Sequence, residues 1–206
     1  MKYCLFIFLF SLKLVYGQDI KGDNNKIHSM VLSHQSELVI YGETNVSEFS
    51  CNYQVINDLD TIRFIVNENG AETDFIDAHV NLKVNQFDCG NTVITSDFKK
   101  LLQEKKHPDV RIRFIDFIEV EEGWSELRHE KIIGHFEIEL EVAGVNRKEV
   151  VPVFNETIEE QRIFYLGDVV LDIKEFGLVA PEKFLGMIKV EDEIIIELKL
   201  KFIRVP

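Results

Sequence analysis

The stretch from Phe136 to Val142 constrains this chain more tightly than any other, because Phe136, Ile138, Leu140 and Val142 alternate with Glu137, Glu139 and Glu141. A helix, at about 3.6 residues per turn, would scatter the three glutamates around its circumference, whereas a strand sends them all to one side. The segment is therefore a strand with one apolar and one acidic face. Val80, Leu82 and Val84 repeat the pattern around Asn81 and Lys83. So do Ile194, Ile196, Leu198, Leu200 and Phe202, against Glu197, Lys199 and Lys201. Shorter versions occur at Leu38 and Ile40, at Ile62 to Val66, at Val110, Ile112 and Phe114, and at Val169, Leu171 and Ile173. Asn69-Gly70, Gly90-Asn91, Glu122-Gly123 and Gly167-Asp168 supply turn signals between these runs. The spacing predicts an all-β antiparallel fold of about eight strands, a sandwich or a barrel.

One stretch departs from this period. Ser96 to Lys106 (SDFKKLLQEKK) places Phe98, Leu101 and Leu102 at helical spacing. Ser96 reads as the N-cap, with Asp97 in the first turn and Lys105 and Lys106 in the last, and Pro108 prevents continuation. One short helix across an end of the β structure is expected. Residues 18–30 (QDIKGDNNKIHSM) are polar and read as a loose lead-in.

Residues 1–17 have the layout of a secretory signal peptide. Lys2 is followed by the apolar run Leu5 to Leu12, and Val15, Tyr16 and Gly17 precede the expected cut. The run falls well short of the roughly 20 residues that span a bilayer, and Lys13 interrupts it. A periplasmic or secreted mature chain, residues 18–206 as a single domain, is the expectation. Its net charge, already −13 for the whole sequence, grows more negative when Lys2 and Lys13 leave. An acidic chain without a basic stripe is repelled by phosphate backbones and anionic membranes, which argues against nucleic acid as a partner and against stable membrane insertion.

Two cysteines, Cys51 and Cys89, remain after the leader. In an oxidising compartment an even pair invites a disulfide, the alternative being two buried free thiols. A bridge would stabilise the fold by about 4 kcal/mol. It would be a structural staple, since no CxxC is present. None of the histidines at 28, 34, 79, 107, 129 and 135 has the spacing of a zinc motif, and there is no nucleophile elbow or phosphate loop. The expectation is a non-catalytic protein with no metal and no cofactor.

Four segments, taken in order, resemble the YceI-like family, in a branch typical of Bacteroidetes-type bacteria. Leu38 to Cys51 (LVIYGETNVSEFSC) resembles its opening hairpin, and Val84 to Arg113 its strand, short helix and proline before the next strand. Gly134 to Val151 (GHFEIELEVAGVNRKEVV) is similar to its Gly-Val turn, and Asp172 to Glu193 to its closing Phe-Gly-Leu loop. Together they cover most of residues 36–202. Two loops depart from the pattern: Glu119 to Lys131 is more charged, and Val179-Ala180-Pro181 stands in place of a Pro-Pro pair. The resemblance implies a lipocalin-like antiparallel β-barrel with an elongated cavity that binds isoprenoid or other long-chain amphipathic lipids in the bacterial periplasm.

Such a barrel is either filled by side chains or occupied by one ligand. A dry void of about 300 Å³ would cost on the order of 7 kcal/mol. The inward members of the alternating runs are the expected lining: Val80, Leu82, Val84, Ile112, Phe114, Phe136, Ile138, Leu140, Leu198 and Leu200. Phe176, Gly177 and Leu178 form the expected mouth loop, and Arg111, Arg113 and Lys174 are candidates for holding a polar head. The reading is an exported protein that holds a long-chain amphipathic lipid, polyisoprenoids included. With 16 phenylalanines in the chain, the alternative is a stress or interaction module whose barrel is packed solid. The oligomeric state is left open.

Overall fold

The structure, a computed structural model, describes residues 26–205 apart from 34, 54–60, 67–71, 77, 121–122, 126, 128, 160–161 and 184–187. The leader expected at 1–17, most of the lead-in and the Asn69-Gly70 turn lie outside the described residues. Eleven strands of four or more residues make up the described fold. They are β1 (Lys26–Leu32), β2 (Glu37–Thr44), β3 (Glu48–Tyr53), β4 (Thr61–Val66), β5 (Glu72–Phe75) and β6 (His79–Lys83). After a helix come β7 (Asp109–Glu119), β8 (Gly134–Val142), β9 (Val145–Glu159), β10 (Arg162–Asp172) and β11 (Ile188–Val205).

Antiparallel pairing runs β1–β4–β5–β7–β8–β9–β10–β11 and returns to β1, so eight strands close a ring. That ring is the lower half of an all-β barrel. Alternation does in three dimensions what it promised in sequence. In β8 the apolar residues face inward opposite Phe117, Phe114 and Ile112 of β7. The glutamates face outward, where Glu139 pairs with Arg113 at 2.6 Å and Glu141 with Arg111 at 2.9 Å. A bulge opposite Glu137/Ile138 adds one residue to β7 and brings both Phe114 and Phe117 inside.

The upper half is assembled differently. β11 is long enough to pair β1 at its end and β2 further back, with β3 beyond β2. β7 likewise carries β6 on its first half and β5 on its second. The gap between β6 and β3 is crossed by the chain itself: a 3-10 turn at Val84–Gln86 delivers Phe87–Asp88 to pair with β3. The Lys83 N–H donates to Tyr53 Oη at 2.9 Å and stitches the same gap. On the far side, β9 and β10 pair only from Val153–Gly167 downward. Above that point each strand keeps its other neighbour, and a seam opens between them.

Three expectations change. The polar lead-in ends earlier than predicted, because residues 26–30 already belong to β1, held by β4 on one side and β11 on the other. The helix, α1, spans Thr92–Leu101 rather than Ser96 to Lys106. Asn91 is its N-cap, accepting from the N–H groups of Val93 and Ile94 at 2.9 and 3.3 Å. Ser96 and Asp97 are therefore mid-helix, Lys99 and Lys100 occupy the last turn, and Gln103 at φ 55° turns the chain away from helix. Gly167-Asp168 is not a turn but part of β10. A Cβ on Gly167 would lie 2.8 Å from the Pro152 carbonyl oxygen, so this glycine allows β9 to press against β10 just where the two begin to separate.

Cys51 and Cys89 form a disulfide. It ties β3 to the residue after the Phe87–Asp88 bridge, directly ahead of α1. The helix then folds over the upper opening, with Phe98 edge-on to Phe87 at 5.3 Å.

Candidate functional site

The barrel interior is unevenly filled. Its lower half is built on rings: Phe136 lies 4.8 Å from Phe117, 5.4 Å from Phe114 and 6.2 Å from Phe75, and Phe114 lies 6.4 Å from Phe202. Between these rings and the middle of the barrel only about 20 Å³ is empty. Above the middle there is a cavity of about 90 Å³. Phe98, Leu101 and Leu102 of α1 form part of its wall, so α1 is a lid.

Of the residues expected to line a ligand chamber, Leu82, Ile112, Ile138, Leu140 and Leu198 border the larger cavity. Val80, Phe114, Phe136 and Leu200 border only the small lower void. Val84 borders neither; it is fully buried in the 3-10 turn. The wall of the upper cavity is carbon almost throughout.

The loop Phe176–Gly177–Leu178 lies at the seam. Ile173–Phe176 forms a 3-10 turn capped by Asp172, whose carboxylate accepts from the Lys174 N–H at 2.8 Å. Gly177 closes the turn in the left-handed region at φ 68°, a conformation that favours glycine. Arg147 of β9 donates through Nε to the Glu175 carbonyl at 3.0 Å, and Lys174 pairs with Asp192 of β11 at 2.5 Å. The turn, continuous with β10, thus ties that margin of the seam to β9 and is anchored behind to β11, while Phe176 and Leu178 point inward, both buried against the cavity.

The polar candidates fare differently. Arg111 and Arg113 stand on the outer face, engaged by Glu141 and Glu139, and cannot reach the interior. Lys174 is at the mouth but already paired. Among the described residues two ionisable side chains border the chamber, the exposed Glu191 of β11 and Glu149, which pairs with Ile138 on the inward face of β9 and lays its stem on the cavity wall. Burial raises its pKa above the usual glutamate range, repulsion from Glu175 adds to this, and Arg147 opposes it. The folded chain therefore holds this proton to higher pH than the unfolded chain, and stability falls as pH rises through that window. Glu149→Gln should raise the melting temperature at neutral pH by about 1–2 °C, since solvent at the rim screens most of the effect, and should change nothing near pH 4. Paired thermal melts at the two pH values measure this; equal gains at both would remove ionisation as the cause.

Solved structures with a similar course of chain were found at low sequence identity. BcnA of Burkholderia cenocepacia matches with a TM-score of 0.60 and 14% identity, over 81% of this chain and 95% of that one. A polyisoprenoid binding domain from Saccharophagus degradans, implicated in plant cell wall breakdown, matches with a TM-score of 0.55 and 10% identity, over 84% and 97%. The YCEI protein of Campylobacter jejuni matches with a TM-score of 0.50 and 14% identity, over 73% and 82%. No protein-family model and no curated protein sequence matches the chain. At these identities the likeness establishes the fold, an antiparallel barrel of the YceI-like type with one helix.

Proposed function

Proceeding from that fold, we propose that the protein is an exported, non-catalytic carrier that holds the apolar tail of an amphipathic lipid beneath α1 and leaves its polar head at the seam. The carrying observation is the cavity of about 90 Å³ roofed by a helix and walled by carbon. Left dry, a void of that size costs about 2 kcal/mol. A bound tail offsets this at about 0.8 kcal/mol per buried methylene. The likeness to the polyisoprenoid binding domain from Saccharophagus degradans favours a lipid over other apolar molecules. Export is supported by the layout of residues 1–17 and by the disulfide, which suits an oxidising compartment.

The ring-packed lower half favours a second reading, an interaction module with a solid core. Native mass spectrometry of the protein purified from the cells that make it separates the two. The carrier reading expects a co-purifying apolar mass, lost on organic extraction, with a fall in melting temperature that re-addition of the extract reverses. A bare mass, with no thermal shift on adding the extract, would leave the solid-core module.

A further inference from the structure

We infer that the barrel measures its ligand: a floor formed by Ile112 and Ile138 and backed by Phe114, Phe136 and Phe202 stops an entering tail after about six carbons. The inference rests on the carrier reading and narrows it to the length of tail the interior accepts.

Three observations carry it. First, the empty space is divided. Leu38, Leu82, Ile112, Ile138 and Leu198 border both the cavity of about 90 Å³ and the void of about 20 Å³ beneath it, so these five side chains form a partition across the barrel. Second, the partition has little room to retreat. Phe114, below it, is flanked by Phe136 at 5.4 Å, Phe75 at 5.7 Å and Phe202 at 6.4 Å. Those rings belong to four different strands, so moving one requires moving its neighbours. Third, the wall around the lower half has no seam, because eight strands pair edge to edge there. The seam and the lid are at the opposite end.

Size sets the stop. An apolar cavity of roughly 150 Å³ takes up benzene. The upper cavity is smaller but opens toward the rim, which accommodates a segment of comparable carbon count. A longer tail leaves its remaining carbons in the seam or in water.

Straight-chain primary alcohols from four to sixteen carbons test this, added to the delipidated mature protein and read by displacement of a fluorescent apolar probe. Affinity should rise about fourfold with each carbon, then break to a slope near zero beyond about six to eight. Ile138→Ala joins the two voids, and Phe114→Leu lets the partition drop. Either variant should move the break outward by two carbons or more while leaving the slope below it unchanged. Should Ile138→Ala not fold, Phe114→Leu, which keeps a buried apolar residue, carries the test alone. Affinity that climbs without a break in the unaltered protein, or a break that stays put in the folded variants, overturns the floor while leaving the carrier reading standing. Failure of every alcohol to bind overturns both.

Discussion

Replacing Phe136 by alanine is expected to remove about 3–5 kcal/mol of stability, a fall of about 10–15 °C in melting temperature for a domain of this size. The ring is almost wholly buried and touches three others, two on the neighbouring strand β7 and one on β5. Burial of a phenyl group supplies most of the loss, and each ring pair adds about 0.5–1.5 kcal/mol beyond area alone. The space left behind cannot collapse, because Phe75 on β5 and Phe114 and Phe117 on β7 are held by strands of a hydrogen-bonded ring. Leu140, higher on the same strand, borders the upper cavity and already lacks neighbours on one side. Its alanine variant should therefore lie near the low end of the large-to-small range, about 2 kcal/mol. Urea titration of both variants checks the order; a larger loss at Leu140 would contradict the division of the interior into a solid floor and a hollow roof.

The second large effect concerns the disulfide. With Cys51 and Cys89 separated by 38 in sequence, the double variant Cys51→Ala/Cys89→Ala should lose about 4 kcal/mol, mainly through an unfolded chain released from its loop. The melting temperature should drop by about 10 °C. Substitution is a cleaner test than a reductant, since Cys51 has no exposed surface. Because the constraint acts on the unfolded state, that state expands when the bridge is removed and the urea m-value should increase. A loss below about 1 kcal/mol with an unchanged m-value would mean that the bridge only decorates a junction already fixed by Tyr53 and the Phe87–Asp88 pairing.

How far the sequence speaks depends on whether a position is governed by a periodic face or by a local closure. β8 and β11 were legible at once because one face meets the core and the other meets water along their central residues. The helix start is not, since Thr92, Val93 and Ile94 are β-branched and Asn91, directly after Gly90, reads as part of a turn. β1 has no such signature, because its stability comes from backbone pairing on both sides rather than from an apolar pattern. Gly167 read as a turn for want of any sign that a neighbouring carbonyl would press on its Cα.

Glu149 shows the same limit at the site. On β9 the inward positions run Val145, Arg147, Glu149, Val151, while Val150 faces outward and is half exposed. That inversion of the usual pattern has a cause: the strand leaves its partner at the seam, and the wet margin tolerates charge on the inner face. Separation of β9 from β10 depends on the bulge at Val153–Asn155 and on the turn at Ile173–Phe176, neither of which has a periodic signature. The hollow roof was equally hidden. The identities of its wall residues follow from alternation, but the space left between them follows from how the ring closes.

That closure has a bearing on biosynthesis. Ser29 meets Val205 and Leu32 meets Phe202, so the barrel's first strand can complete the hoop only when its final strand has emerged. Contacts so remote along the chain form late and slowly. For a chain exported as proposed above, such delay is useful: the polypeptide stays pliable until its last segment is available, and it acquires its rigid form on the far side.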